Sequence, residues 1–259
     1  MNIETIVNTQ IHPLADEDFR SSCHQTLRRT GVIVMSGFLN PAIVEAIRRE
    51  GEQSRHLAFF CRQEHNVYLT PPDEDYSPGH TRNRTVVSSK GCITDDVIAA
   101  ESPLRALYDS EDFRSFLCSV LDESSLHDYA DPLSSINLHY AEAGQELGWH
   151  FDNSSFAVTL MIQEPESGGT FEYVGGMRNA EKGEMNFTGV EKVLNGDVVP
   201  QQLKLEAGSL VLFRGRNAIH RVTPVEGSRT RMLVVLAYNS KPGISLSKSA
   251  RMTFYGRLH

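Results

Sequence analysis

Only four cysteines, Cys23, Cys61, Cys92 and Cys118, are scattered over 259 residues, and no two form a C-x-x-C pair. A disulfide framework or a zinc ribbon is therefore excluded, and reduced thiols in a cytoplasmic setting are expected. No run of about 18 apolar residues occurs, so the sequence offers no membrane-spanning helix. The opening Met1-Asn2-Ile3-Glu4-Thr5 lacks the basic-then-apolar pattern of a secretory signal. Basic blocks are missing too: 25 Lys and Arg stand against 33 Asp and Glu, a formal net charge of -8 that argues against a nucleic-acid partner. Internal repeats and low-complexity tracts are absent. What remains is a chain with 40% hydrophobic residues, enough to bury one core, and a single domain over residues 1–259 is expected.

The pattern changes character near residue 130. Before it, Asp16 to Thr30, Pro41 to Ala58 and Pro103 to Leu121 carry apolar residues at three- and four-residue spacing and predict helices. Gly31 to Phe38 reads as a short strand. Leu69 to Ser89, with Pro71, Pro72 and Pro78, reads as a loop. Residues 1–130 thus form mostly helical support with a substrate loop. After Leu133, short strands alternate with glycine-rich turns, as in a sandwich or barrel. The polar stretch Gly175 to Pro200 reads as a hairpin insertion or flexible loop. The expected fold is α+β with a mainly β core over 131–259: a double-stranded β-helix (a jelly roll, cupin-like) with N-terminal bracing helices.

Within that β-rich half, His150-Phe151-Asp152 places an imidazole and a carboxylate two residues apart, on one face of a strand. His220 arrives seventy positions later between two further strand patterns. Two histidines and one carboxylate form the facial triad that holds non-haem Fe(II) for oxygen chemistry. Arg231 enters the apolar strand Met232 to Tyr238, where a buried guanidinium is costly unless it meets an anion. A carboxylate suits its forked donors. Arg229 shares its parity and is the fallback. The remaining histidines have no comparable setting; His139 is read as structural, because alternation turns it away from Tyr140.

His150, Asp152, His220 and Arg231 together resemble the Fe(II)/2-oxoglutarate-dependent oxygenases. The wording around Gly148 to Asp152, Ser167 to Tyr173, His220 to Val225 and Met252 to Arg257 is similar to one branch of them, the hydroxylases and radical halogenases of free amino acids. That resemblance implies Fe(II) as metal, 2-oxoglutarate and O2 as cosubstrates, and Arg231 as the grip on the far carboxylate of 2-oxoglutarate. It also implies a cosubstrate contact at Tyr140. Members that halogenate replace the triad carboxylate with Gly or Ala; this chain keeps Asp152, so hydroxylation is expected.

Substrate contacts are less legible. The resemblance implies a basic residue ahead of the barrel for a substrate carboxylate, with Arg82 and Arg84 as candidates. Asn153 can face substrate or cap its turn, and Glu172 can take a substrate amine. Met252 to Arg257 can close over the pocket. The expected activity is hydroxylation of an unactivated C–H bond in a small polar molecule, a free amino acid or derivative. The alternatives are a prolyl-hydroxylase-like enzyme acting on protein side chains and a non-catalytic metal-binding jelly roll.

Overall fold

The computed structural model describes residues Met1–His259. Helix boundaries follow local chemistry. Asp16 accepts a hydrogen bond from the Phe19 amide at 2.7 Å and opens the helix Glu17–Thr30, which ends at Gly31 with φ 74°. Pro41 occupies the first turn of the helix Pro41–Ser54, where its missing N–H costs nothing. The predicted helix from Pro103 to Leu121 is two helices, Pro103–Tyr108 and Glu111–Leu121. Ser110 caps the second by accepting from the Phe113 amide, which breaks an otherwise continuous apolar periodicity.

Eleven strands form one sheet that folds back on itself. One wing orders the strands Val32–Met35, Leu210–Phe213, Ala157–Gln163, Arg231–Leu236 and Ile136–Ala141 side by side. The other orders Leu147–His150, Ile219–Val222, Phe171–Val174 and Gln201–Leu203. The strand Thr85–Ile93 joins them: Gly91 to Ile93 pair with Tyr140 to Leu138, while Ser88 pairs with Leu147. This is the double-stranded β-helix expected from the strand spacing. Two expectations need correction. Residues 1–130 hold more strand than expected: Val32–Met35 matches the short strand read over 31–38, but Phe59–Asn66 and Thr85–Ile93 also belong to the sheet. The loop from Leu69 therefore ends before Thr85; the β-branched run Thr85-Val86-Val87 marks the strand.

Alternation sorts the core. Met232, Val234 and Leu236 join Leu138, Tyr140, Leu160 and the N-terminal helices in a cluster of 35 buried residues. Arg231, Leu233 and Val235 face the other way, into the space between the wings. The segment from Gly175 to Pro200 is not a hairpin: it contains the helix Phe187–Asn195, capped by Asn186 and ended at Gly196 with φ 81°. Its Val190 and Val193 pack on Trp149, Phe151 and Ile219, the outer face of the ligand-bearing wing. Polar flanks hid a single apolar stripe at three-residue spacing.

Candidate metal centre

The two histidines are cross-strand partners. His150 ends its strand directly opposite His220, and their ring centroids lie 4.2 Å apart. Each Nδ1 lies beside a carbonyl two residues back in its own chain, Gly148 at 2.8 Å and Ala218 at 3.0 Å. A backbone carbonyl only accepts, so both Nδ1 atoms carry the proton and both Nε2 lone pairs turn inward. They point to Asp152, whose Oδ1 lies 3.8 Å from Nε2 of His150 and 3.5 Å from Nε2 of His220. Asp152 Oδ2 is buried without a hydrogen-bond partner.

These observations fit a bound metal ion. Separations of this size lie within reach of one ion at bond lengths of roughly 2.0–2.2 Å, and the donors are the neutral imidazoles and carboxylate that a borderline divalent ion takes. Electrostatics agree. Burial, and after it the neighbouring His220, hold the His150 imidazole well below its usual range, so it stays neutral and ready to ligate. Burial alone would raise the Asp152 carboxyl; His220, His150 and Arg178 outweigh that and hold it low.

Two supporting residues gave no signal in the sequence. Gly215 passes so close that a Cβ there would sit 1.9 Å from Asp152 Oδ2 and 2.9 Å from His220 Cε1. Its carbonyl also accepts the Asp152 amide at 3.1 Å. Arg178 donates to the Asp152 carbonyl at 3.2 Å and to that of Arg216 at 2.6 Å, and lies over the Phe151 ring at 4.3 Å. Both reach the site from segments distant in sequence.

Two cavities meet at the triad. The larger, about 310 Å³, runs between the wings to Arg231 along walls that include Val158, Val211, Phe213 and Leu233. Arg231 is 4% exposed, its Nε has no partner, and burial without an anion pushes its guanidinium down to about 10. The smaller, about 210 Å³, lies between the hairpin Phe59–Ile93 and the C-terminal helix Lys248–Tyr255, whose Phe254 forms one wall. His65 and Ser88 line it, joined at 2.7 Å.

The other expected contacts lie elsewhere. Tyr140 faces the helices, not the cavity, and donates to the Gly51 carbonyl at 2.6 Å. His139, expected to be structural, is the residue of that pair that lines the cavity, because alternation turns it away from Tyr140 and the helices. Arg229 precedes the strand, is exposed, and donates to the Pro165 carbonyl at 3.0 Å. Arg82 reaches the Pro71 carbonyl and Asp73, and Arg84 reaches Asn195 and the Leu194 carbonyl at the end of the helix Phe187–Asn195. Glu172 sits on the outer face, held by Arg221 at 2.7 Å and Gln202 at 2.8 Å. Asn153 is exposed on its turn, with its carbonyl taken by Arg216. None of these six lines either cavity.

Comparison with known proteins agrees with this geometry. A PKHD-type hydroxylase of Shewanella baltica (strain OS155 / ATCC BAA-1091) is 31% identical over 101 residues, 34% of this chain and 36% of that protein, so the match spans about a third of the relative's length. A 2OG-Fe(II) oxygenase-family oxidoreductase from Burkholderia pseudomallei superposes with a TM-score of 0.55 at 12% identity, covering 89% of this chain and 95% of that one. The nogalamycin epimerase SnoN, in complex with Fe3+ and alpha ketoglutarate, does so with a TM-score of 0.60 at 13% identity over 86% and 84%. The fold is thus that of the Fe(II)/2-oxoglutarate oxygenases. The family model described as Halogenase D matches residues 15–253, and the chain belongs to that family.

Proposed function

We propose that this protein is an Fe(II)- and 2-oxoglutarate-dependent dioxygenase that hydroxylates an unactivated C–H bond of a small polar substrate, a free amino acid or derivative. One observation carries the reading: a converged His150–Asp152–His220 donor set shares one cavity with Arg231, a buried cation lacking an anion. When bound, the iron supplies the oxygen activation and redox chemistry that no side chain here can perform. Nε2 of His150, Nε2 of His220 and the Asp152 carboxylate would hold it. The Gly148 and Ala218 carbonyls keep both rings in the ligating tautomer. Arg231 anchors the distal carboxylate of 2-oxoglutarate, and the apolar walls exclude water around it.

Asp152 favours hydroxylation within a family named for a halogenase. Its carboxylate occupies the position that halogenating members leave open for chloride. The modest size of the two cavities, about 310 and 210 Å³, supports a small-molecule substrate over an extended peptide segment.

Anaerobic titration with Fe(II) and 2-oxoglutarate tests the reading. The expected result is a visible charge-transfer band, followed on O2 addition by succinate release that one member of an amino-acid panel stimulates. Arg231→Ala should weaken 2-oxoglutarate binding about ten- to hundredfold, the weight of a charge-assisted hydrogen-bond pair, while Fe(II) still binds. No band in folded, iron-loaded protein would refute the assignment.

A further inference from the structure

Lys90 is the one ammonium within the fold's interior space, and neither the triad nor Arg231 accounts for it. It lies on Thr85–Ile93, the strand that joins the two wings, and lines both cavities together with His150 and Asp152. Its Nζ lies 3.0 Å from Nε2 and 3.3 Å from Nδ1 of His139. Burial, and after it the Lys90 and Arg231 charges, hold the His139 imidazole well below its ordinary value, so the ring is neutral and accepts from the ammonium. Phe254 presents its ring 5.6 Å away, as one wall of the smaller cavity. No carboxylate pairs with Lys90, and burial depresses its ammonium. Lysines are rarely buried without a partner.

The charges around the two cavities are unbalanced. Asp152 is the only carboxylate lining either one. A divalent metal, Arg231 and Lys90 together exceed it, and a dicarboxylate cosubstrate still leaves one positive charge uncompensated. No acidic side chain is free to meet a substrate ammonium, because Glu172 is spent on Arg221 and Gln202 outside the cavity. The remaining walls of the smaller cavity, Cys61, Gln63, His65, Ser88, Leu69 and Leu147, carry no carboxylate, and the Cys61 thiol is the one other acidic group among them.

We infer that Lys90, steadied by His139, is the specificity-determining contact for a substrate carboxylate. The cavity between the Phe59–Ile93 hairpin and Phe254 therefore takes a small anion whose amine, if it has one, goes unrecognised by any acid. This rests on the dioxygenase reading above. It replaces Arg82 and Arg84, which line neither cavity and reach the Pro71 and Leu194 carbonyls instead.

The test uses full-length protein loaded with Zn(II) and 2-oxoglutarate. Calorimetry then compares the proteinogenic amino acids, their N-acetyl derivatives and their carboxamides as probes, and succinate release is scored in parallel on the Fe(II) protein. At least one acid should bind, and its amide should bind about ten- to hundredfold more weakly, the effect of losing a charge-assisted hydrogen bond. Lys90→Met should reproduce that loss for the acid and leave the 2-oxoglutarate affinity unchanged. Equal binding of acid and amide, or no binding by any acid, overturns the inference. A Lys90→Met variant that loses 2-oxoglutarate instead also overturns it and assigns Lys90 to the cosubstrate. The acid–amide comparison needs no variant, so it stands even if Lys90→Met fails to fold. A wild-type protein without the Fe(II)–2-oxoglutarate band would refute the dioxygenase reading itself; a normal band without acid–amide discrimination refutes only the role of Lys90.

Discussion

At the scale of single residues, the site depends as much on what is missing as on what is present. Gly215 carries no catalytic group, yet its Cα hydrogens are all that the Asp152 carboxylate can tolerate on that side. Gly215→Ala should push Asp152 off the centre, because the intruding methyl meets both Oδ2 and the His220 ring and neither is a flexible chain end. Metal affinity is expected to fall about tenfold or more, as it does when groups orienting metal ligands are disturbed. Fe(II) or Zn(II) titration of the variant checks this, and unchanged affinity would show that the turn at Gly215 relaxes freely. The triad itself was legible because His-x-Asp puts two donor types close together in sequence, although the strand ends at His150 and Asp152 lies just beyond it rather than on its face. Arg231 was legible because a cation at the head of a run of six apolar residues, Met232 to Ala237, is conspicuous. Gly215, Arg178 and Lys90 were not, since each gains its meaning from a segment at least 25 residues away that the fold brings alongside.

At the scale of elements, the helix Phe187–Asn195 shows how a segment polar on average still docks through one stripe. Arg84 belongs to this helix rather than to a substrate: its guanidinium takes the Leu194 carbonyl and the Asn195 side chain, groups left unpaired at a helix end. Arg84→Ala should therefore cost about 1 kcal/mol of stability, the weight of one lost cap. Substrate affinity should not change. Urea denaturation with parallel calorimetry separates the two, and a weakened substrate with unaltered stability would return Arg84 to the binding site. The strand Thr85–Ile93 was half hidden for a related reason. Its first residues continue a proline-rich loop, and only pairing to the strands of His139 and Leu147 makes it the hinge between wings.

At the scale of the whole molecule, folding encloses neutral imidazoles, and that makes stability depend on pH. His139 and His150 are both held below their ordinary value near 6.5, by burial first and by neighbouring positive charge second. Below about pH 6.5 the unfolded chain binds protons that the folded chain refuses, so acidification favours unfolding. Asp152, held low, adds to the loss only under about pH 4, where an unfolded aspartate begins to protonate. Each histidine contributes up to about 1.4 kcal/mol per pH unit in this window. Metal-free protein should accordingly show a lower urea midpoint at pH 5.5 than at pH 7, and an unchanged midpoint would contradict the burial of neutral rings.

The sequence by itself determined most strand and helix periods, three candidate metal donors and the cation expected to meet an oxo acid. These are properties of local alternation and side-chain chemistry, and they survive without knowing which strands are neighbours. Tertiary structure decided which face of each strand looks into the space between the wings. A shift of one residue in that assignment exchanges Tyr140 for His139, because side chains alternate strictly along a strand and only the packing of the helices on one face says which side is inside.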